Sequence, residues 1–444
     1  MRSWKGLGRR MKLMKNWTKE QNEAIQSRNC NLLLSAAAGS GKTAVLVERI
    51  IQIILKDKID IDKLLIVTFT NAAAGEMRER ISDAIVRELE TPGESEDHLR
   101  RQMTLLNKAS IMTIHAFCIE LVKGHFHLID IDPNFRVGDI TETRILQLDA
   151  LEELFEEEYK KGDPTFIGLV ERFGGTREDT ALQNLTLKTY NFVQSQPKPY
   201  QWLKERVEDF NLDINDFEQS QWFQIIRNRI KVSLENALNI LEEAREKCCH
   251  PQGPLKYLEA IDDDIRQVND LCYELEKGIV NFHHKIKDFK NKRLTSAKQE
   301  VDESIREEVK FLRDMTKNIV KDIKVDICAL SPSEYVEDIN KLYPYMVYLC
   351  KMVEDFAKEY RQKKAERTLL DFNDLEHYAL EILENKHAVE EYRERFHYIF
   401  IDEYQDSNMV QETLIQSIKR SRNIFMVGDV KQSIYRFRLA DPTL

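Results

Sequence analysis

The sequence predicts an α/β protein: a parallel sheet with flanking helices, interrupted by a large, mainly helical insertion. Three observations predict it. Short apolar runs alternate with stretches of helical period at both ends of the 444-residue chain, as expected of parallel strands joined by crossover helices. A glycine-rich turn joins one such run directly to a helix near the N-terminus. Between about residues 140 and 365 the alternation stops, and charge-rich segments of helical period replace it.

Residues 1–15 are basic and lack an apolar stretch, so they read as a disordered tail rather than a secretory leader, with Trp17 opening the folded part. Residues 31–37 form a short apolar run into the glycine turn. From Lys42, Thr-Ala-Val-Leu-Val-Glu-Arg-Ile-Ile-Gln-Ile-Ile-Leu is helical and apolar over most of its circumference, as suits a helix lying against a sheet. Residues 64–69 are a second buried strand, followed by a helix over 72–89 that Pro92-Gly93 terminates. A third strand over 110–114 precedes another helix. Residues 146–161, 202–210, 222–247, 254–290 and 301–325 then read as helices in which Gly and Pro are sparse. Asp371-Phe372-Asn373-Asp374-Leu375 opens a helix, the run at 398–401 returns to the sheet, and a strand over 423–427 ends in Gly428-Asp429. The expected division is a tail at 1–15, sheet domain at 16–139, helical insertion at 140–365 and a return to the sheet at 366–444.

Composition narrows the class. With 42% hydrophobic residues, the chain has material for roughly two to four compact domains. No apolar run approaches the roughly 18–20 residues needed to span a bilayer, so no membrane association is expected. Seven scattered cysteines without a CxxC pair (Cys248-Cys249-His250 has no second half at zinc spacing) indicate reduced thiols and a cytoplasmic protein. A net charge of −10 does not favour nucleic acid, although local basic segments can still track phosphates on an acidic protein.

Two segments carry chemistry. In Ala36-Ala37-Ala38-Gly39-Ser40-Gly41-Lys42-Thr43, tight-turn N–H groups and a helix N-terminus make an anion nest. Lys42 would add a point charge between the β- and γ-phosphates, and Thr43 a hydroxyl for Mg²⁺. Ala36 stands where the GxxxxGK[ST] pattern has its first glycine, but the preceding strand and following apolar helix supply the context the motif requires. Tyr398-Ile399-Phe400-Ile401 runs into Asp402-Glu403, placing two acids where the C-terminal edge of a parallel sheet meets ligand. There Asp402 would hold Mg²⁺ through water and Glu403 would deprotonate the attacking water. Together they point to ATP or GTP hydrolysis.

Two further stretches concern a polymer. Thr68-Phe69-Thr70-Asn71-Ala72 places hydroxyls and an aromatic at a strand end and helix start, suited to a phosphate backbone. Gly428-Asp429-Val430-Lys431-Gln432-Ser433-Ile434-Tyr435-Arg436-Phe437-Arg438 interleaves aromatics with cations, as where bases stack beside a phosphate track. The basic segment Lys285, Lys287, Lys290, Lys292 and Arg293 reads as a solvated helix face, with contact to duplex DNA as the alternative.

In order, these segments resemble the motifs of superfamily 1A DNA helicases, the UvrD/PcrA/Rep group. Trp17-Thr18-Lys19-Glu20-Gln21 is similar to that family's Q motif, and Thr113-Ile114-His115-Ala116-Phe117-Cys118 to its TxHxFC motif. Asp402-Glu403-Tyr404-Gln405-Asp406 and the Gly428–Arg438 stretch narrow the resemblance to AddA-type helicase/nuclease subunits, relatives of RecB. The resemblance implies a RecA-like P-loop NTPase domain over 16–138 and 366–444, with the middle as the family's 1B insertion. It also implies ATP and Mg²⁺ as ligands and an ATP-dependent helicase acting in double-strand break repair. Single-stranded DNA, duplex DNA ends and an AddB-like second subunit would be its partners. Gln21 would contact adenine, and Ala36, Ala37, Ala38, Gly39, Ser40, Gly41, Lys42 and Thr43 the phosphates. Gln432 would sense the γ-phosphate, and Arg438 would link the ATP site to the DNA surface. Phe69, Thr70, Asn71, His115, Tyr435 and Phe437 would meet single-stranded DNA. Family members continue past the equivalent of Leu444 into a second RecA-like domain and, in AddA, a nuclease. The chain is therefore expected to be an N-terminal part, weakly active alone, with any exonuclease outside it. A UvrD-type repair helicase without nuclease and an ATP-gated DNA-binding module without translocation remain as alternatives.

Overall fold

The computed structural model describes residues 17–37, 39–90, 96–173, 179–295 and 301–429. Its strands, in chain order, are β1 (Leu32–Ser35), β2 (Leu64–Thr68), β3 (Ser110–Thr113), β4 (Arg136–Val137), β5 (Leu369–Leu370), β6 (Tyr398–Ile401) and β7 (Ile424–Gly428). Five of them form one parallel sheet in the order β1-β7-β6-β2-β3, while β4 and β5 pair with each other. The five apolar runs read from the sequence are the five strands of the main sheet.

The sheet is buried on both faces because its side chains alternate. On β2, Leu64 and Ile66 enter one core cluster while Leu65 and Val67 enter another. The first cluster packs Val45, Leu46 and Ile50 of the helix Lys42–Gln52 against Ile66, Phe400 and Phe425. The second packs Phe117 and Leu121 of Ile114–His125, Leu375 of Phe372–Ile382 and Leu414 of Met409–Ile418 against Val67 and Ile399. Burying each such side chain is worth about 1.5–3 kcal/mol.

Helices begin where side chains satisfy the first free N–H groups. Thr70 Oγ1 accepts from Ala73 N at 3.0 Å to cap Asn71–Leu89, and Thr113 Oγ1 accepts from Ala116 N at 3.2 Å to cap Ile114–His125. Asp371 and Asp374 form a reciprocal capping box at Phe372–Ile382. Such caps contribute roughly 1 kcal/mol each.

The chain separates into two compact units. One contains the described residues of Met1–Lys161, Arg177–Trp202 and Met352–Leu444; the other contains those of Gly162–Thr176 and Leu203–Lys351. The sheet-bearing unit thus takes in helical chain from both flanks of the 140–365 stretch. The second unit is helical, its core formed by Ile230, Leu234 and Leu241 of Gln221–Cys248 with Ile261 and Val268 of Leu258–Lys277 and Val309 of Glu303–Asp322. The single helix expected over 254–290 is broken at Gly278. Its φ of +138° suits glycine alone, and Glu218 Oε1 accepts the N–H of Ile279 at 2.9 Å to start Ile279–Lys287. The long helix Pro332–Glu366, with Pro344 inside it, had no counterpart in the sequence reading. An interior proline removes one N–H donor and normally signals a break.

All seven cysteines are free thiols. Among the described residues no helix is long and apolar enough to cross a membrane.

Candidate functional site

Because the main sheet is parallel, the C-terminal ends of its strands share one edge, and the sequence-selected segments gather there. β7 lies between β1 and β6, so Gly428 and Asp429 sit between the glycine turn and the acidic pair.

The glycine turn leaves β1 with Ala36 N donating to the Gly428 carbonyl at 3.2 Å. Gly39 (φ +74°) and Gly41 (φ +85°) adopt left-handed conformations that an L side chain would strain. Gly41 then caps Lys42–Gln52, whose first N–H groups have no carbonyl behind them. The Lys42 Nζ is shut off from solvent and has no hydrogen-bond partner among the described residues. Buried polar groups are almost always paired, and an orphaned ammonium beside a helix N-terminus fits a phosphate anion.

The helix Lys19–Gln26 is held against this turn. Gln21 Nε2 donates to the Ser40 carbonyl at 3.0 Å, while its Oε1 accepts the Thr18 N–H at 3.0 Å. Arg49, fully buried on the helix after the turn, donates to the Ala24 carbonyl and lies 4.7 Å over the Phe425 ring. Burial pushes the Arg49 guanidinium down to about 10. Sequence reasoning missed Arg49, since one charge in an apolar helix reads as its solvent face.

At the end of β6, Asp402 N donates to the Val67 carbonyl at 2.9 Å, extending the ladder by one residue. Burial, and then the neighbouring charge of Glu403, push the Asp402 carboxyl up to about 6, against the Glu403 N–H, Lys42 and Arg80, which pull it down. Glu403 is left-handed, with φ +55° and ψ +44°. Such a conformation in a non-glycine residue costs on the order of 1–3 kcal/mol and gathers at functional sites. Its carboxylate accepts from Gln405 Nε2 at 2.8 Å.

Asp402 and Glu403 line a cleft with Thr68, Phe69 and His115. Thr70 and Asn71 are exposed beside it at the start of Asn71–Leu89. His115 Nε2 is 3.1 Å from Glu376 Oε1, which also accepts from Gln411 Nε2 at 2.7 Å. The His115 ring lies 4.6 Å from that of Phe372. Glu376, Gln405 and Gln411 were not singled out from sequence. Only Gln405 carried a signal, its place between Glu403 and Asp406. Ala36, Ala37, Gly39, Ser40, Gly41, Lys42 and Thr43 form the turn and helix start, whereas Ala38, Gln432, Tyr435, Phe437 and Arg438 lie outside the described residues.

In the helical unit, part of the basic segment is already neutralised. Lys285 pairs with Asp270 at 3.0 Å, and Lys292 lies 3.4 Å from both Glu259 and Asp263. The Lys285–Asp270 and Lys292–Glu259 pairs are exposed and of small energetic value, whereas Asp263 is buried.

Residues 17–444 match the family described as UvrD/REP helicase N-terminal domain. The chain is 61% identical over 431 residues to the AddA-type ATP-dependent helicase/nuclease subunit of Alkaliphilus metalliredigens, covering 97% of this chain and 36% of that protein. Identity to the protein of the same name is 60% in Alkaliphilus oremlandii, with the same coverage. In Syntrophomonas wolfei it is 49%, covering 97% of this chain and 35% of the relative. The chain thus spans about 36% of the length of the first two of these curated relatives.

Proposed function

This chain belongs to the UvrD/REP helicase N-terminal domain family, and on that premise we propose that it is the ATP- and single-strand-binding motor part of a DNA helicase/nuclease subunit. The whole protein would act in the cytoplasm on single strands and duplex ends during double-strand break repair, paired with an AddB-like second subunit. Exonuclease chemistry would belong to the portion of the relatives that this chain does not span. The observation that carries the reading is the Lys42 Nζ at the head of a helix, shut off from solvent and without a hydrogen-bond partner among the described residues.

Each residue has a task in that chemistry. The glycine turn and Lys42 hold the triphosphate, and Gln21 reads the adenine edge. Thr43 and Asp402 would hold Mg²⁺, which when bound supplies positive charge to the phosphate oxygens. Asp402 is suited to this because a cation offsets the burial and repulsion that raise its carboxyl. Glu403 takes the proton of the attacking water, and Gln432 senses the γ-phosphate. Phe69, Thr70, Asn71, His115, Tyr435 and Phe437 would meet single-stranded DNA, and Arg438 would couple that binding to the nucleotide.

The test is ATP hydrolysis and strand separation by the full-length protein with and without single-stranded DNA. DNA-stimulated ATPase that unwinds duplex is expected. ATP binding without stimulation or unwinding would favour a clamp that does not translocate. The 444-residue chain alone should bind ATP but hydrolyse it slowly. In related sites an arginine finger from a further domain is worth about 10³- to 10⁵-fold.

A further inference from the structure

Gln405 is 6% exposed, and its side-chain amide faces partners of opposite kind, carboxylates on one side and a backbone N–H on the other. Nε2 donates to Glu403 Oε2 at 2.8 Å and lies 3.4 Å from Asp406 Oδ2. Oε1 accepts the backbone N–H of Asp429 at 2.9 Å. Oε1 also passes so close over Gly428 that a Cβ built there would meet it at 2.9 Å. The carbonyl of Gly428 in turn takes the Ala36 N–H at the entrance to the glycine turn. The amide therefore joins Glu403 to the end of β7, and the Gly428 carbonyl joins β7 to the glycine turn.

Side-chain chemistry restricts this bridge. It must donate to a carboxylate and accept from an N–H at once. Lysine and arginine only donate, an ionised glutamate only accepts, and asparagine is one methylene shorter. The bridged Glu403 is held in a left-handed conformation that surrounding contacts must enforce.

We propose that Gln405 is a positioning residue that aims the Glu403 carboxylate and makes its aim depend on the end of β7, from which the chain runs into the segment carrying Gln432. The proposal rests on the reading of Glu403 as the base for ATP hydrolysis. Movement of Asp429 would pull on Oε1, and the same rigid amide would carry the displacement to Glu403.

The test uses the full-length protein and four variants: Gln405→Met, Gln405→Glu, Gly428→Ala and the double variant Gln405→Met/Glu403→Gln. Gln405→Met keeps the volume without either hydrogen bond. Gln405→Glu keeps the acceptor for Asp429 but loses the donor to Glu403. Gly428→Ala displaces the amide from the other side. In all three single variants ATP affinity should stay within about threefold while kcat of DNA-stimulated hydrolysis falls about 10- to 100-fold, the scale of a misplaced catalytic group. The double variant should be no slower than Glu403→Gln alone, because Gln405 acts through Glu403. Should Gln405→Met not fold, Gln405→Glu and Gly428→Ala read the same bridge. Wild-type kcat in folded variants, or an undiminished further loss in the double variant, overturns the proposal. A wild-type protein without ATPase activity would instead overturn the functional reading, and this inference with it.

Discussion

Two buried cations, one in each compact unit, show how differently the units are built. In the helical unit, Arg313 is 2% exposed and paired: its Nε lies 2.5 Å from Asp264 and its NH2 donates to the Lys292 carbonyl at 2.8 Å. Asp264 accepts in addition from Asn291 Nδ2 at 3.0 Å. In the sheet-bearing unit, Lys42 is half-buried, but its Nζ is cut off from solvent and has no hydrogen bond among the described residues. The first arrangement meets the conditions for a buried charge and joins the helix Glu303–Asp322 to Leu258–Lys277. The second does not, and a left-handed Glu403 and a raised Asp402 stand close to it. A buried cation with a carboxylate partner ties two helices together, whereas one left without a partner beside a strained acid at a sheet edge is suited to a ligand.

Breaking each region separately sharpens the contrast. Glu403→Gln should produce the largest effect, lowering ATP turnover of the full-length protein about 10²- to 10⁴-fold with nucleotide affinity nearly intact. Retained turnover in steady-state assays would place the base elsewhere, with Asp406 the first residue to try.

Arg313→Ala should act on stability instead. Leaving Asp264 buried without its cation costs about 3–5 kcal/mol, read as earlier unfolding in denaturant. ATP affinity should not change, and a parallel loss of nucleotide binding would refute the separation of roles.

Lys42→Ala should do the reverse. It should weaken MgATP binding by about 1.5–3 kcal/mol, or roughly 10- to 150-fold by calorimetry. Thermal stability should hold or rise, because an unsatisfied buried group is removed. A folded variant with unchanged ATP affinity would take Lys42 out of the site.

The smallest effect is expected at an intermediate case in the sheet-bearing unit. Lys364 lies 2.9 Å from Asp371 and 2.5 Å from Asp374. Burial, and then the charge of Asp371, push the Asp374 carboxyl up to about 6. Burial also acts to raise Asp371, but the Lys364 ammonium holds it below the usual range. Folded Asp374 binds a proton that the unfolded chain has released, so its contribution is complete below about pH 4 and is lost as pH rises through about 6. Asp371 works in the opposite sense. Asp374→Asn should therefore flatten the pH dependence of unfolding between about pH 4 and 6 by about 1–2 kcal/mol. An unaltered slope in denaturant titrations at those pH values would show that Asp374 titrates normally.

Most of the candidate site's geometry was legible because it is local. A glycine turn needs left-handed residues at fixed spacing, and Gly39 and Gly41 provide them with Lys42-Thr43 directly behind. The strands were legible because both faces of the sheet are covered, making each a continuous apolar run such as Leu64–Thr68. The helices were less so. Pro344 hid a helix that tertiary packing tolerates, and Gly278 split one that period alone made continuous.

Residue order alone was enough to establish the strands, the turn, the acidic pair and the family they resemble, since each depends on neighbours a few positions away. The fold alone decided that β7 inserts between β1 and β6, pairing Leu34 with Val427 across nearly the whole chain. It also decided that Gln405 closes over Gly428, that Arg49 grips the Gln21 helix, and that His115 shares Glu376 with Gln411. Those contacts join side chains far apart in sequence, and a hydrogen bond a few ångströms long leaves no periodicity along the chain from which to read it.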